Sequence, residues 1–337
     1  MTKYARRLQK IGSSMLVSLP SEWIKNHNLK KGNMVLIEIN RDNSISLFSS
    51  DVGNEDMKEV TIPYTHASID SLVNQIYGAY LLGYNIIRIK GKSQISFDDR
   101  ELIKHIMQKL VGLEIIDEDG FNIISQFLLD ANALNAEKIL RRMSSIIAGM
   151  FRDTLEGLRS KENGIGKLIM SRDDEVDRQY FLLVRLIRSA MVDQKLAGKL
   201  NLSNIDILDY RIAANQLESA GDYITEFASA VPDIFHTKLI DMITNLSILI
   251  EKMHEKSVVA FTTKNRAESI EVVKMYNKFN DLIKSIKELS AKAEPRNSEL
   301  TIAIINSIYS MDKIARCWVD VADLVKPLYL TSPLMNV

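Results

Sequence analysis

The sequence predicts a multidomain α+β protein: a small N-terminal β module, a βαβαββ layer, and C-terminal tandem three-helix bundles. Three observations predict it. Residues 1–50 alternate apolar and polar positions between Gly and Asn turns; residues 58–130 switch between strand-like and helical periods; and residues 134–330 repeat apolar positions at i, i+3/i+4 and i+7. Pro232 splits the last zone, so the expected units are 1–50, 58–130, 134–232 and 233–330. The 337 residues are 46% hydrophobic and 26% charged, ordinary values for a soluble globular chain.

In the first zone Met15, Val17 and Leu19 fall on one face of an extended segment, with Leu16 the break in the alternation. Pro20 opens a helix at the position where its missing N–H costs nothing, and the helix runs over about Glu22–His27. Lys30-Lys31-Gly32-Asn33 turns, MVLIEIN extends, Asp42-Asn43 turns again and SISLF closes a hairpin. So short a module buries little apolar surface alone, and dimerisation is expected. Residues 51–57, DVGNEDM, read as a polar linker.

The second zone gives a strand in KEVTIPY, a helix ending at Gly83, a strand in YNIIRIKG, a helix capped by Ser96 and Asp99, and a hairpin turning at Asp119-Gly120. It holds no Gly-rich phosphate fingerprint, and it would connect, dimerise or sense. In the third zone Ile139, Met143, Ile146, Ile147, Met150, Phe151, Leu155 and Leu158 form a helical stripe. Turns at Asn163-Gly164, 198–203, Pro232-Asp233, Thr262-Thr263 and 295–297 divide the zone into six helices, three on each side of Pro232.

One cysteine, Cys317, leaves no intrachain disulfide and fits a reducing cytosol. The apolar run after the N-terminal basic residues is too short for a signal peptide, and no stretch is long enough to span a membrane. A cytoplasmic location without membrane insertion is expected. No Ser-His-Asp order, HExxH or P-loop appears, so the chain is not expected to be an enzyme. The five histidines are scattered, and His105 and His254 sit in helical patterns as surface or satisfied structural residues.

Net charge is zero, but residues 1–50 carry eight Lys and Arg against three Asp and Glu, +5 there and −5 elsewhere. Clustered Lys and Arg bind phosphate backbones by releasing counterions. The same residues would also serve as a solvated terminus. The run RRLQKIGSSMLVSLPSEWIKNHNLKKGNMVLIEINRDNSISLF, however, resembles the AbrB/MazE/SpoVT swapped-hairpin family: basic strand, Gly-Ser-Ser turn, apolar alternation to Pro, short helix, Leu-Lys-x-Gly, hairpin. Asn33 stands where that family has Asp. The resemblance implies a homodimer of interleaved hairpins gripping double-stranded DNA, with Lys3, Arg6, Arg7, Lys10 and the turn Gly12-Ser13-Ser14 facing it.

On the second bundle helix Asp173 and Asp177 stand four apart, and on the third Glu218 and Asp222 do the same. Each pair shares a helix face, where like charges repel unless something offsets them. Four oxygen donors suit a hard or borderline cation, and they equally suit a solvated acidic surface neutralised by Lys or Arg. DDEVD and LESAGDYITEFA resemble the paired acidic motifs of the PhoU family, phosphate-uptake regulators built from two three-helix bundles. That resemblance implies a divalent or iron-type metal in the first bundle, held by Asp173, Asp177, Glu218 and Asp222. The second repeat departs, with Asn277 and Asp281, then Asp312 and Arg316, at the corresponding positions. A fixed guanidinium opposes a cation, so an internal Asp312–Arg316 pair is expected there instead.

Together the two resemblances imply a DNA-binding transcriptional regulator of phosphate uptake, whose bundles sense or relay phosphate status through the transporter ATPase or a sensor kinase. The rival is an adaptor that does not bind DNA. It docks on the transporter ATPase or sensor, and its hairpin only dimerises.

Overall fold

A computed structural model of the chain describes residues 4–39, 43–49, 57–161, 164–230, 237–292 and 298–325. Lys3, the 51–56 part of the linker, Pro232-Asp233 and the turn at 295–297 lie outside the described residues. The chain divides into two compact units, the first ending at Met57 and the second starting at Lys58.

The first unit begins with a hairpin, β1 (Gln9–Ile11) against β2 (Ser14–Leu16), with Lys10 opposite Met15. Gly12 turns it at φ +62°, a left-handed conformation that glycine adopts without strain. The expected strand through Leu19 is shorter than its alternation suggested. Beyond Leu16 the backbone leaves the ladder and runs to Pro20, which stands just before α1 (Ser21–Asn26). A second hairpin pairs β3 (Val35–Ile39) with β4 (Ile45–Ser49), Ile37 opposite Leu47. Helix α1 buries no residue within one chain. Leu36, Ile37, Ile39 and Ile45 stay 54–74% exposed.

The second unit starts with the βαβαββ layer. Strands β5 (Glu59–Tyr64), β6 (Ile86–Gly91), β7 (Leu113–Glu118) and β8 (Asn122–Phe127) form one sheet in the order β5-β6-β8-β7. β5 and β6 are parallel, as the crossover through α2 (Ile69–Leu81) requires, and the other pairs are antiparallel. Helix α3 (Phe97–Lys109) starts where the Ser96 Oγ accepts the Asp99 N–H, as the capping pattern predicted. The Asp119 carboxylate accepts the Phe121 and Asn122 N–H groups in the β7–β8 turn.

Helices α4 (Ala136–Ser160), α5 (Ile165–Val192) and α7 (Asn204–Ala230) pack on one another. So do α8 (Thr237–Thr263), α9 (Arg266–Lys292) and α10 (Ser298–Asp323). The two triplets join through α7 on α10 and α4 on α8. The turn before α7 holds an extra short helix that periodicity had not separated, α6 (Gln194–Lys199), capped by the Asp193 carboxylate. The α4 stripe is buried as expected, except that Ile146 is only half-buried.

The βαβαββ layer is riveted to α5 by a buried arginine. Arg185 is 5% exposed and donates to the Tyr80 carbonyl at 2.6 Å. Its guanidinium lies 3.9 Å from the Phe127 ring centroid and 5.0 Å from that of Tyr80. Lys109 on α3 adds an ion pair to Asp174 on α5 at 2.9 Å. No described helix is long and apolar enough to cross a membrane.

Candidate acidic site and nucleic-acid interface

Helices α5 and α7 bring their acidic pairs face to face because a glycine lets them. Gly221 lies between Glu218 and Asp222, and a Cβ there would stand 2.8 Å from the Asp173 Oδ1. The Asp173 carboxylate therefore rests against bare α7 backbone. Sequence spacing singled out the acids but not this function of the Gly in LESAGD.

Burial and a neighbouring carboxylate push each of the four groups in the same direction. Burial first, then Asp177, Asp222 and Glu218, push the Asp173 carboxyl up to about 7. Asp177 is raised by burial, then by Asp222 and Asp174, with Lys109 opposing. Glu218 is raised by burial, then by Asp222 and Asp177, and Asp222 by burial and then Glu226. Each carboxyl thus holds its proton above the ordinary range, the mark of an acidic cluster short of positive charge. Lys109 offsets part of this field at Asp177, and Arg211 does so at Glu218. Lys109 pairs with Asp174, and Arg142 pairs with Glu175. Lys313 of α10 lies 4.4 Å from the ring centroids of both Tyr223 and Tyr309. Lys313 shares an open cleft with Asp173 and Asp222.

Among the described residues no three His, Cys, Asp or Glu side chains converge on one metal-binding point. The donor chemistry of four carboxylates on two facing helices is that of a hard or borderline cation site. In the second triplet the equivalent position is closed. Asp312 accepts from the Arg316 Nε at 2.9 Å and from the Tyr276 hydroxyl at 3.0 Å, while Asn277 and Asp281 are exposed. The Asp312–Arg316 pair stands as the spacing suggested.

The predicted nucleic-acid residues Arg6, Arg7, Lys10, Gly12, Ser13 and Ser14 are all exposed on one short stretch around the β1–β2 hairpin. None of the three basic side chains has an ion pair among the described residues. Arg6 stands 5.8 Å from the Tyr4 ring, and Tyr4 donates to Glu22 of α1, tying the arm to the helix. Of the histidines, His254 is seated beside Ser144, and His66 meets Asp99 at 2.6 Å. Cys317 is buried and its thiol is pushed up to about 12, chiefly by burial, so it is inert.

Comparison with known proteins agrees with this division. A model described as "Antidote-toxin recognition MazE, bacterial antitoxin" matches residues 8–47. Among solved structures, PhoU from Pseudomonas aeruginosa superposes with a TM-score of 0.51 at 16% identity, over 56% of this chain and 93% of that one. The phosphate transport system regulatory protein PhoU from Streptococcus pneumoniae gives 0.49 at 14% identity, over 56% and 91%. A comparison with curated protein sequences finds no match. The first superposition speaks for the fold of the helical region. The PhoU domain model matches twice, over 140–231 and 243–325, together more than half of the chain, and the protein belongs to the PhoU family.

Proposed function

We propose that this protein is a homodimeric, DNA-binding transcriptional regulator of phosphate uptake. The observation that carries the reading is the joining of two PhoU domains to a MazE-type module on one chain, with Arg6, Arg7 and Lys10 exposed on that module and without ion pairs among the described residues. Three cations on a short hairpin suit phosphate backbones, and a glycine turn allows close approach to a duplex. The apolar residues left bare on β3 and β4 support pairing with a second copy. The helical body would then receive the phosphate signal, through a transporter ATPase or a sensor kinase as partner.

The acidic site is proposed to hold a divalent or iron-type cation through Asp173, Asp177, Glu218 and Asp222. The support is the shared upward shift of four carboxyls, none of which forms an ion pair among the described residues. A bound ion would supply the missing positive charge and draw the pairs together. Elemental analysis of purified protein beside Asp173→Asn/Asp222→Asn tests this. Metal lost in the variant supports it, and equal content in both proteins contradicts it.

The regulatory reading is tested by selecting duplexes from a random pool with the full chain. Enrichment of a sequence with two related half-sites, at the spacing a two-fold dimer imposes, is expected. A pool that stays random while the protein binds the transporter ATPase would favour the adaptor. That second reading draws on the bare apolar strands, which dimerisation alone explains, but it leaves the basic arm without a use.

A further inference from the structure

Where the C-terminal end of α5 meets the first turns of α7, a groove of about 390 Å³ opens to solvent. Its floor is Ile187 and Ile207, both buried, and its walls are Met191 and Leu208, which are 73% and 59% exposed. The bare apolar surface continues along both helices. On α7 Ile205, Leu208 and Ile212 stand at i, i+3 and i+7, all exposed, and on α5 the exposed Val192 follows Met191. A stripe with that spacing lies on one face of a helix. In α4 such a stripe is buried by the other helices of its triplet, whereas the α7 stripe is left bare. A contiguous apolar patch rimmed by polar residues is the usual mark of an interaction surface.

The rim carries one sign of charge. Arg188 of α5 and Arg211 of α7 line the groove, and no acidic residue does. Arg188 is exposed and has no ion pair among the described residues. The Arg211 guanidinium lies 5.4 Å from the Tyr180 ring centroid and has no ion pair among those residues either. Its positive field reaches Glu218, two turns along α7, without a salt bridge. Carboxylates nearby are engaged: Asp193 accepts the Lys195 and Leu196 N–H groups, and Asp206 pairs with Lys264. A second copy of this surface would set guanidinium against guanidinium, which disfavours self-association. An apolar groove between two helices, flanked by arginines, is complementary to a third helix that carries an apolar stripe and carboxylates on its flanks.

We infer that the α5–α7 groove is the docking site for an acidic amphipathic helix of a partner protein. The apolar residues of that helix insert between Met191 and Leu208, and its carboxylates meet Arg188 and Arg211. Met191, unbranched and adaptable, suits such a wall. The basic arm and the four paired acids take no part, so the inference does not rest on the reading above.

The test is a display library of amphipathic helices of about three heptads, with a fixed leucine stripe and flanks randomised over Glu, Gln and Lys. It is selected on the full chain carrying Arg6→Ala/Arg7→Ala/Lys10→Ala, so that the arm does not compete for acidic flanks. Glu-flanked helices should be enriched, and the best should bind in solution with a Kd below ~10 μM. Leu208→Glu should weaken that helix by about tenfold or more with the melting curve intact; if this variant melts early, Met191→Gln at the exposed wall supplies the block. Arg188→Glu should weaken it about tenfold and shift the selection toward Lys-flanked helices, a reversal that a merely structural arginine would not produce. No enrichment, enrichment indifferent to flank charge, or a selected helix that binds Leu208→Glu and Arg188→Glu as tightly as the parent would each overturn the assignment. So would a Leu208→Glu chain that loses phosphatidylglycerol vesicles or its dimer instead of the helix, which would name a lipid surface or a second copy as the occupant.

Discussion

In α4 the side chains of Leu140, Met143 and Leu158 have no measurable exposure, while in the β3–β4 hairpin Leu36, Ile37 and Ile39 leave 54, 62 and 74% of theirs in solvent. Both segments are comparably apolar in sequence. The difference is what each can reach within one chain. A 25-residue amphipathic helix finds two neighbours in its own triplet, whereas two short hairpins and a one-and-a-half-turn helix enclose nothing. The helical body therefore covers its own apolar face within one chain, and the N-terminal module leaves its apolar face bare. The same contrast separates their charges. The body's acids are half-buried and raise one another, and the module's basic residues stand free in solvent.

The largest effect that sharpens this contrast comes from paired core substitutions. Phe227→Ala, at a fully buried position in α7, should cost the body ~3–5 kcal/mol in denaturant unfolding. Ile37→Asp should leave that transition in place and instead convert dimer to monomer in sedimentation. If Ile37→Asp unfolds the body, the two units are not independent.

Next comes the rivet. Arg185→Met keeps the stem but leaves the Tyr80 carbonyl with the Gly83 N–H as its remaining donor and removes the guanidinium from Phe127, a loss of ~1–3 kcal/mol in the same unfolding experiment. Hydrogen exchange should then rise first in α2 and β8. An unchanged exchange pattern would sink the idea that Arg185 fastens the layer.

The acidic site gives a pH signature. Asp173 binds its proton more tightly folded than unfolded, so its contribution to stability is full below the ordinary Asp value of 3.8 and is lost as pH rises through about 7. In metal-free protein Asp173→Asn should therefore raise Tm by about 2–4 °C at pH 8 and by progressively less toward pH 4. A constant offset across that range would mean that the Asp173 carboxylate is not under electrostatic stress.

The smallest effect on stability is Gly221→Ala. The helix gains up to ~1 kcal/mol of propensity, while the new methyl displaces the Asp173 carboxylate. Cation uptake should fall with Tm unchanged or slightly higher, which separates site geometry from fold.

Much of this was legible from the residues. The α4 stripe, the Ser96 cap, the Asp119-Gly120 turn and the Asp312–Arg316 pair follow from local spacing, because each is an interaction within a few residues. Alternation overstated the strand through Leu19, since periodicity cannot tell where a ladder stops without its partner. The seat of Arg185 on the Tyr80 carbonyl, the Asp173 carboxylate against Gly221 and the His254–Trp318 ring contact join positions far apart in sequence, and no local pattern marks them. Residues four apart on one helix told which acids share a face, but only the packing of α5 on α7 brings the two faces together.

The central claim is that the module, rather than the helical body, grips DNA. The most direct test is fluorescence anisotropy of the full chain on duplex DNA across a salt series, beside an Arg6→Ala/Arg7→Ala/Lys10→Ala variant. The native chain should show a steep negative slope of log K against log salt. In the variant, affinity should fall and the slope should flatten by about 0.9 for each phosphate that the arm no longer neutralises, with the dimer intact. Equal binding and equal slope in both proteins, or no binding by a native dimer at low salt, would contradict it.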